Sequence, residues 1–310
     1  MSCWRCIAGS DLAPIAPAWE DAARRAPGSV FQTFPFARCW AEVFGQDVDV
    51  QVWSDGQLIL PVAFRGSTLM PLGEGLFDYI DVIGAAGCPA AEQSRAAAWI
   101  ARRSWSSLQI TGVRTGSPFT AFWHRLGGGG EAFTAAPRRH PSDPEVETEH
   151  RHAAARWRRA QRLGAHLDHP TQPAEQQRLL HWMLERKAQL LTTHGQTNVL
   201  GALEQRWLER MLESAPTLVE LWSLRLRDRL MSGLLCWRFN STRYAYMISY
   251  DPELAQLSPG ILLLFAVVRL TMSAGLYFDF LTGEQAFKQR FATHRETLWR
   301  FRRQRDQFRY

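Results

Sequence analysis

Apolar and polar residues alternate in two separate stretches of this chain, and both stretches break at turn residues in the same order. In the first, 48–53 and 58–64 read as strands joined by an Asp55-Gly56 hairpin turn, a third extended segment lies at 68–71, and 77–83 continues it. Residues 90–103 then have helical composition, and 107–111 closes as a short strand. In the second stretch, strands at 218–226, 230–239 and 243–250 follow one another, the first two joined by a turn at Arg227-Asp228-Arg229. A helix at 259–274, stopped by Gly275, and a strand at 276–281 complete it. Asp55 and Asp228 are 173 residues apart, and Gln109 and Asp279 are 170 apart. This near-constant offset predicts a duplicated β-turn-β-β-α-β unit, and so an α/β fold (α+β, mixed sheets) built from two lobes.

Pro137, Pro141 and Pro144 fall within 135–149, a stretch without apolar periodicity, which predicts a linker between an N-terminal lobe at 1–134 and a C-terminal lobe at 150–310. The second lobe opens with helical material at 150–164, 174–192 and 201–214. In the middle one, Leu179, Leu180, Met183, Leu184 and Lys187 recur at helical spacing. The four glycines at 127–130 read as a flexible loop, because no Lys-Ser/Thr pair follows to make a phosphate-binding loop.

With 310 residues, 46% of them hydrophobic and 12% aromatic, the chain has the material for a large core. Its longest apolar run, 261–268, has eight residues, whereas a membrane-spanning helix needs about 20. No membrane span and no export signal is expected, which places the protein in the cytoplasm. Cys3, Cys6, Cys39, Cys88 and Cys236 are scattered and odd in number, so no disulfide framework is expected, and Cys3-Trp4-Arg5-Cys6 lacks two further ligands for zinc. The net charge of +6 is unevenly placed: 288–310 holds eight basic and two acidic residues and reads as a soluble tail. Arg151, Arg156, Arg158, Arg159 and Arg162 form a second cluster. Such clusters suit the phosphates of a cofactor, a nucleotide-linked substrate, RNA or an anionic membrane, and equally serve as a solvated helix face.

Candidate chemistry concentrates after residue 240. Ser258-Pro259-Gly260 opens the apolar helix at 259–274: serine can cap, proline is tolerated in a first turn, and glycine lets a ligand approach the backbone. Unpaired N–H groups at that end suit a pyrophosphate. Period-two alternation puts Tyr244, Tyr246, Ile248 and Tyr250 on one face of their strand. Asp279 stands inside the apolar run 276–281, where a carboxylate must be paired or functional, and Lys288 is its expected partner. His150/His152 and His166/His169 lie in charged segments without metal-ligand spacing, so no metal is expected. No Gly-x-Ser-x-Gly nucleophile turn occurs.

Asp251, Ser258-Pro259-Gly260-Ile261-Leu262-Leu263, Phe278-Asp279-Phe280-Leu281-Thr282-Gly283 and Phe287-Lys288 together resemble the C-terminal signature of the CelD-type acetyltransferases. That family is a branch of the GNAT superfamily related to the Fem peptidoglycan aminoacyltransferases. Phe77-Asp78-Tyr79-Ile80-Asp81, the arginine-rich segment from Arg156 through Gly164, and Lys187 with Gly195 downstream extend the resemblance over most of the chain. It implies tandem GNAT-like lobes with a helical insertion between them. It also implies an acyl-CoA donor, acetyl-CoA or longer, held by Ser258, Pro259, Gly260, Ile261 and Leu262. Tyr79, Asp81, Arg159, Lys187 and Tyr246 would face an amine or amino-sugar acceptor between the lobes, in cell-envelope or exopolysaccharide synthesis. Relatives often carry Tyr where this chain has Phe287, so no proton donor is expected there.

The expected chemistry is direct attack of an amine on the donor thioester between the strands at 243–250 and 276–281. Backbone N–H groups near Tyr250 hold the oxyanion, Asp279 accepts the ammonium proton directly or through water, Tyr250 protonates the thiolate, and Lys288 steadies Asp279 or the acceptor's phosphate. Two other readings stand beside it. One is aminoacyl transfer from a charged tRNA gripped by the arginine clusters; the other is a non-catalytic partner protein that retains the fold. DNA is not among the expected partners.

Overall fold

A computed structural model describes residues 5–9, 11–25, 28–55, 57–84, 87–144, 147–193, 195 and 200–305. Cys3 and Trp4 of the cysteine pair, Gly56 of the first hairpin and residues 306–310 of the basic tail lie outside them. The chain runs β1 (Arg5–Ala8), α1 (Ala16–Arg25), α2 (Phe34–Phe44), β2 (Asp49–Ser54), β3 (Ile59–Arg65), β4 (Thr68–Pro71), α3 (Ala90–Ala101), β5 (Ser107–Arg114), α4 (Thr120–Gly127) and β6 (Glu131–Arg139). It continues α5 (Glu147–Arg162), β7 (Ala165–Asp168), α6 (Pro173–Thr193), α7 (Ala202–Ser214), β8 (Val219–Leu226), β9 (Arg229–Phe239), β10 (Thr242–Tyr250), α8 (Pro259–Ser273), β11 (Tyr277–Asp279), α9 (Ala286–Phe291) and β12 (His294–Gln304). Two compact units result, one of residues 1–135 with 296–310 and one of 136–295.

The expected repeat is present in both units. In the first, β2, β3 and β4 pair antiparallel in succession, α3 follows, and β5 lies parallel to β4 with Thr68 opposite Ser107. In the second, β8, β9 and β10 do the same, α8 follows, and β11 lies parallel to β10 with Thr242 opposite Tyr277. A right-handed crossover through a helix is the physical route from one parallel strand to the next, and α3 and α8 supply it. The strand order is β1-β2-β3-β4-β5-β12 in the first unit, and β11-β10-β9-β8-β7, with the end of β6 beside β11, in the second.

The core of the second unit forms around α8. Leu262, Leu263, Leu264, Phe265, Val267 and Val268 are all buried, which is why the helix is apolar on every side at its start. They meet Leu224, Met231, Leu234, Cys236, Phe278, Phe280 and Phe291, with Trp157 and Ala160 of α5 covering the other side. Each such side chain contributes about 1.5–3 kcal/mol on leaving water. The first unit is built on aromatic rings. Phe31, Phe36, Phe77 and Tyr79 meet at centroid distances of 5.4–5.8 Å. Trp19 donates from Nε1 to the Gln32 carbonyl at 2.9 Å, and Gln32 donates in turn to the Tyr79 carbonyl at 2.8 Å.

Three segments depart from the sequence reading. The stretch 77–83 forms no strand: an isolated bridge joins Ile59 and Ile83, and Ile80 donates to the Gly112 carbonyl at 3.1 Å. Residues 135–139, read as linker, finish strand β6. Pro137 hid the strand because it has no N–H to give, yet its carbonyl accepts from Phe280 at 3.0 Å. The basic tail is not free. Residues 298–304 pair with β5 as part of the first unit, and Leu298 and Phe301 are buried among the arginines that masked them. Gly127 and Gly130 of the expected flexible loop pack on Phe301 so closely that a Cβ on either would lie 2.6 or 2.8 Å from its ring or Cβ.

Gly112 shows why 77–83 runs irregularly. Its φ is +94°, and a Cβ there would lie 2.5 Å from the Asp78 carbonyl oxygen. Gly112→Ala should therefore lower stability by about 2–3 kcal/mol, measured as a drop in calorimetric Tm. An unchanged midpoint would mean that the two backbones are not held in contact.

Candidate active site

β10 and β11 run together for three residue pairs, 242–244 against 277–279, and then part. Two local features separate them. On β10 the register against β9 shifts between Ala245 and Met247, so Tyr246 is the extra residue of a β-bulge, which bends its strand. On β11 the chain leaves the sheet at Leu281, which takes a left-handed φ of +58°. Beyond Tyr244, alternate N–H and C=O groups of β10 therefore face a gap where a strand partner would otherwise be.

The bulge also overturns the expected row of phenols. Tyr246 turns against Trp207 and Trp237, at 6.1 and 5.1 Å between centroids, while Ile248 and Tyr250 lie beside Gly260 at the start of α8. Ser249 faces the opposite side and donates to the Met183 carbonyl of α6 at 2.8 Å. The Tyr250 hydroxyl, on a half-buried residue, has no partner among the described residues.

Ser258 does not cap α8 with its hydroxyl. It sits in the left-handed region at φ 52°, and its carbonyl accepts from both Ile261 and Leu262. Ser232 holds the Pro259 carbonyl at 3.0 Å, and Pro259 and Leu262 are buried. The open set of amides expected at this end thus narrows to the Gly260 N–H, which has no acceptor among the described residues.

Asp279 is buried and held from two sides. Oδ2 lies 2.9 Å from Arg138 Nε, and Oδ1 accepts the Leu281 N–H at 2.8 Å. A cation beside it that the sequence did not suggest is Arg138, and Lys288 Nζ donates to the Thr282 carbonyl. Asp279 fixes the turn that ends β11, a positioning role.

The remaining expected positions divide. Tyr79 is 1% exposed and closed within the first unit's core, so it offers no surface to a substrate. Asp81 is half-buried, and its Oδ1 alone accepts from Ser117, Trp123 and Val82 at 2.9, 3.1 and 2.9 Å. Arg159 is exposed on α5, away from the side that packs on α8. Lys187 is half-buried on α6 with no hydrogen-bond or ionic partner among the described residues, and burial pushes its pKa down.

Two features were not foreseen. An open concavity of 650 Å³ lies on the first unit, lined by Asp47, Asp49, Gln51, Trp53, Phe64 and Arg103. His140, Asp143 and His294 bring ligand atoms within 4.8 Å of one another. The two imidazoles stack at 3.9 Å with planes 20° apart, so their lone pairs run side by side and do not converge on one ion. Neither could be found in the sequence, since each depends on residues far apart in the chain.

Burial raises the Asp81 pKa from 3.8 to about 6. The folded state therefore holds that proton more tightly, a stabilisation full below pH 3.8 and lost as pH rises through about 6. Asp81→Asn should accordingly stabilise the protein at pH 7.5 by roughly 2 kcal/mol, with the gain vanishing near pH 4; denaturant melts at the two pH values measure it. Asp279→Ala should cost about 3 kcal/mol because it removes the buried acceptor of the Leu281 N–H and the anion beside Arg138. Loss of transfer with an unchanged melting midpoint would instead make Asp279 a chemical participant.

Residues 149–289 match the family model described as acetyltransferase (GNAT) domain. Among solved structures, the chain is similar to the C-terminal domain of a protein named as a lysylphosphatidylglycerol synthetase in Agrobacterium fabrum, at 11% identity and TM-score 0.65, covering 93% of this chain and 91% of that one. It is also similar to L-PGS from Bacillus licheniformis, at 12% identity and TM-score 0.63, with 96% and 94% covered. A third is FemX, at 12% identity and TM-score 0.61, with 91% and 95% covered. No curated protein sequence matches the chain. At these identities the likeness is one of fold, and it runs through both lobes. The strand pair that parts at a bulge and the helix crossing between the two strands lie within residues 149–289, the stretch that the acetyltransferase (GNAT) domain model matches.

Proposed function

We propose that this protein is an N-acyltransferase that moves an acyl group from acyl-CoA, acetyl-CoA in the simplest case, to the amine of a small molecule or amino sugar. The parting of β10 from β11 carries this reading. Strand amides beyond Tyr244 supply donors for a thioester carbonyl, each worth about 3 kcal/mol as negative charge develops there. The Gly260 N–H adds one donor at the start of α8 for a diphosphate.

Sheet geometry divides the work. Tyr250 stands on the α8 side beside Gly260, where its unpartnered hydroxyl is suited to protonate a leaving thiolate. Ser249 faces α6, so the acceptor amine approaches from the α6 side, where Lys187 and Tyr246 lie. The ammonium proton goes to solvent in the gap, since Asp279 is engaged by Arg138 and Leu281.

One observation favours a second donor. Arg156, Arg158, Arg159 and Arg162 are exposed on α5 without an acidic partner among the described residues, as a surface gripping the phosphates of a charged tRNA would be. A structural relative named as a lysylphosphatidylglycerol synthetase fits that alternative.

Calorimetric titration decides between the two. Acetyl-CoA should bind, and Tyr250→Phe should bind it equally while releasing thiol about 100-fold more slowly with an amine panel. Absence of acyl-CoA binding, with charged tRNA bound in a steeply salt-dependent manner, would replace the first reading by the second. No helix among the described residues is long and apolar enough to cross a membrane.

A further inference from the structure

The chain has 36 lysines and arginines, and two of them, Lys187 and Lys288, are lysines. Surface charge is supplied by arginine, so lysine is not used here as generic solubilising charge. The two cations differ in chemistry: a guanidinium stays charged, whereas an amine can shed its proton and attack a carbonyl. Lys288 is engaged by the Thr282 carbonyl. Lys187 has no partner of any kind among the described residues.

The position of Lys187 follows from the helix ladder. Its N–H donates to the carbonyl of Met183 one turn earlier. That same carbonyl accepts the Ser249 hydroxyl at 2.8 Å, so the Lys187 backbone lies on the α6 side of the sheet next to Ser249, one residue before the end of β10. Met183 also reaches Gly233 on β9, opposite Ser249, which fixes this turn of α6 against the sheet. Nearby charges do not compensate the lysine. Arg186 acts on Asp251, Asp251 is itself paired with Arg229 at 2.7 Å, and on α7 Glu209 pairs with His181. Burial without a counter-ion among the described residues favours the neutral amine.

We propose that Lys187 is a self-acylation site: in the donor-loaded protein lacking another amine, its Nζ takes the acyl group from the thioester. The Nζ–C bond forms, the C–S bond breaks, and the proton lost by nitrogen goes to the departing thiolate, leaving an amide on the side chain and free CoA thiol. No oxidant or reductant is required. The amide fills the acceptor side, so the modified protein is closed to the next amine. The inference rests on the acyl-CoA reading above.

Two measurements test it. With lysine labelled in carbon-13, the protein should show two side-chain signals, assigned by Lys187→Arg and Lys288→Arg. In the protein without donor, Lys187 should titrate below the ordinary lysine range; titration at or above that range overturns the proposal. The second measurement incubates the whole chain with acetyl-CoA and maps its peptides by mass spectrometry. Acetylation is expected at Lys187 in preference to Lys288, with a rate that rises about tenfold per pH unit until the Lys187 pKa is passed. Lys187→Arg should bind acetyl-CoA normally and show no such product. Calorimetric binding of acetyl-CoA with Lys187 left unmodified sinks this inference alone, whereas no binding at all removes the donor reading and this proposal with it.

Discussion

A strand that loses its neighbour inside a sheet leaves backbone amides and carbonyls without partners, and a fold tolerates that only where something else meets them. The second unit imposes this condition on itself at β10. The bulge at Tyr246 bends one side of the gap away, and the left-handed turn at Leu281, tied to Asp279, removes the other. Both sides are rigidly supported: α8 is packed around most of its circumference, and Arg138 holds the carboxylate that sets the turn. The opening is therefore a property of the backbone, maintained by residues that need never touch a substrate.

The first unit carries the same succession of strands and crossover helix and handles the same problem differently. There the segment between β4 and α3 returns alongside β5, so that Ile80 donates to Gly112 and the Asp78 carbonyl rests against its Cα. Asp81 is drawn into a knot with Ser117, Trp123 and Val82, and Tyr79 closes into the aromatic core. Residues that the family resemblance marks as substrate-facing thus spend their polar groups on filling a cleft. One copy of the repeat keeps an opening and the other packs it with its own chain, which explains why the candidate chemistry gathers after residue 240.

What could be read from sequence follows from how local each signal is. The three-strand meanders, α3, α8 and the 170-residue spacing were legible because hydrophobic alternation and turn residues are short-range features. The Tyr246 bulge was not: a single unpaired residue leaves no mark in a strand of alternating aromatics, so the phenols were placed on one face. Arg138 was not foreseen beside Asp279 because it comes from a segment read as linker, 141 residues away. β12 was lost for a similar reason, since two buried apolar residues among arginines resemble a solvated tail until β5 is seen beside them.

The strand that follows each repeat is used in the sheet of the other unit. After the first repeat the chain supplies β6, whose last residues pair with β11 of the second unit; after the second repeat it supplies β12, which pairs with β5 of the first. Each unit thus completes its sheet with a strand encoded beyond the other repeat. Neither copy, cut out at its sequence boundary, carries all the backbone partners its sheet uses, so β5 or β11 would present an unpaired edge. A simple tandem of two self-sufficient domains would tolerate loss of one. Here residues 136–139 belong to the second unit and 296–305 to the first, so each unit's sheet includes chain encoded after the other repeat.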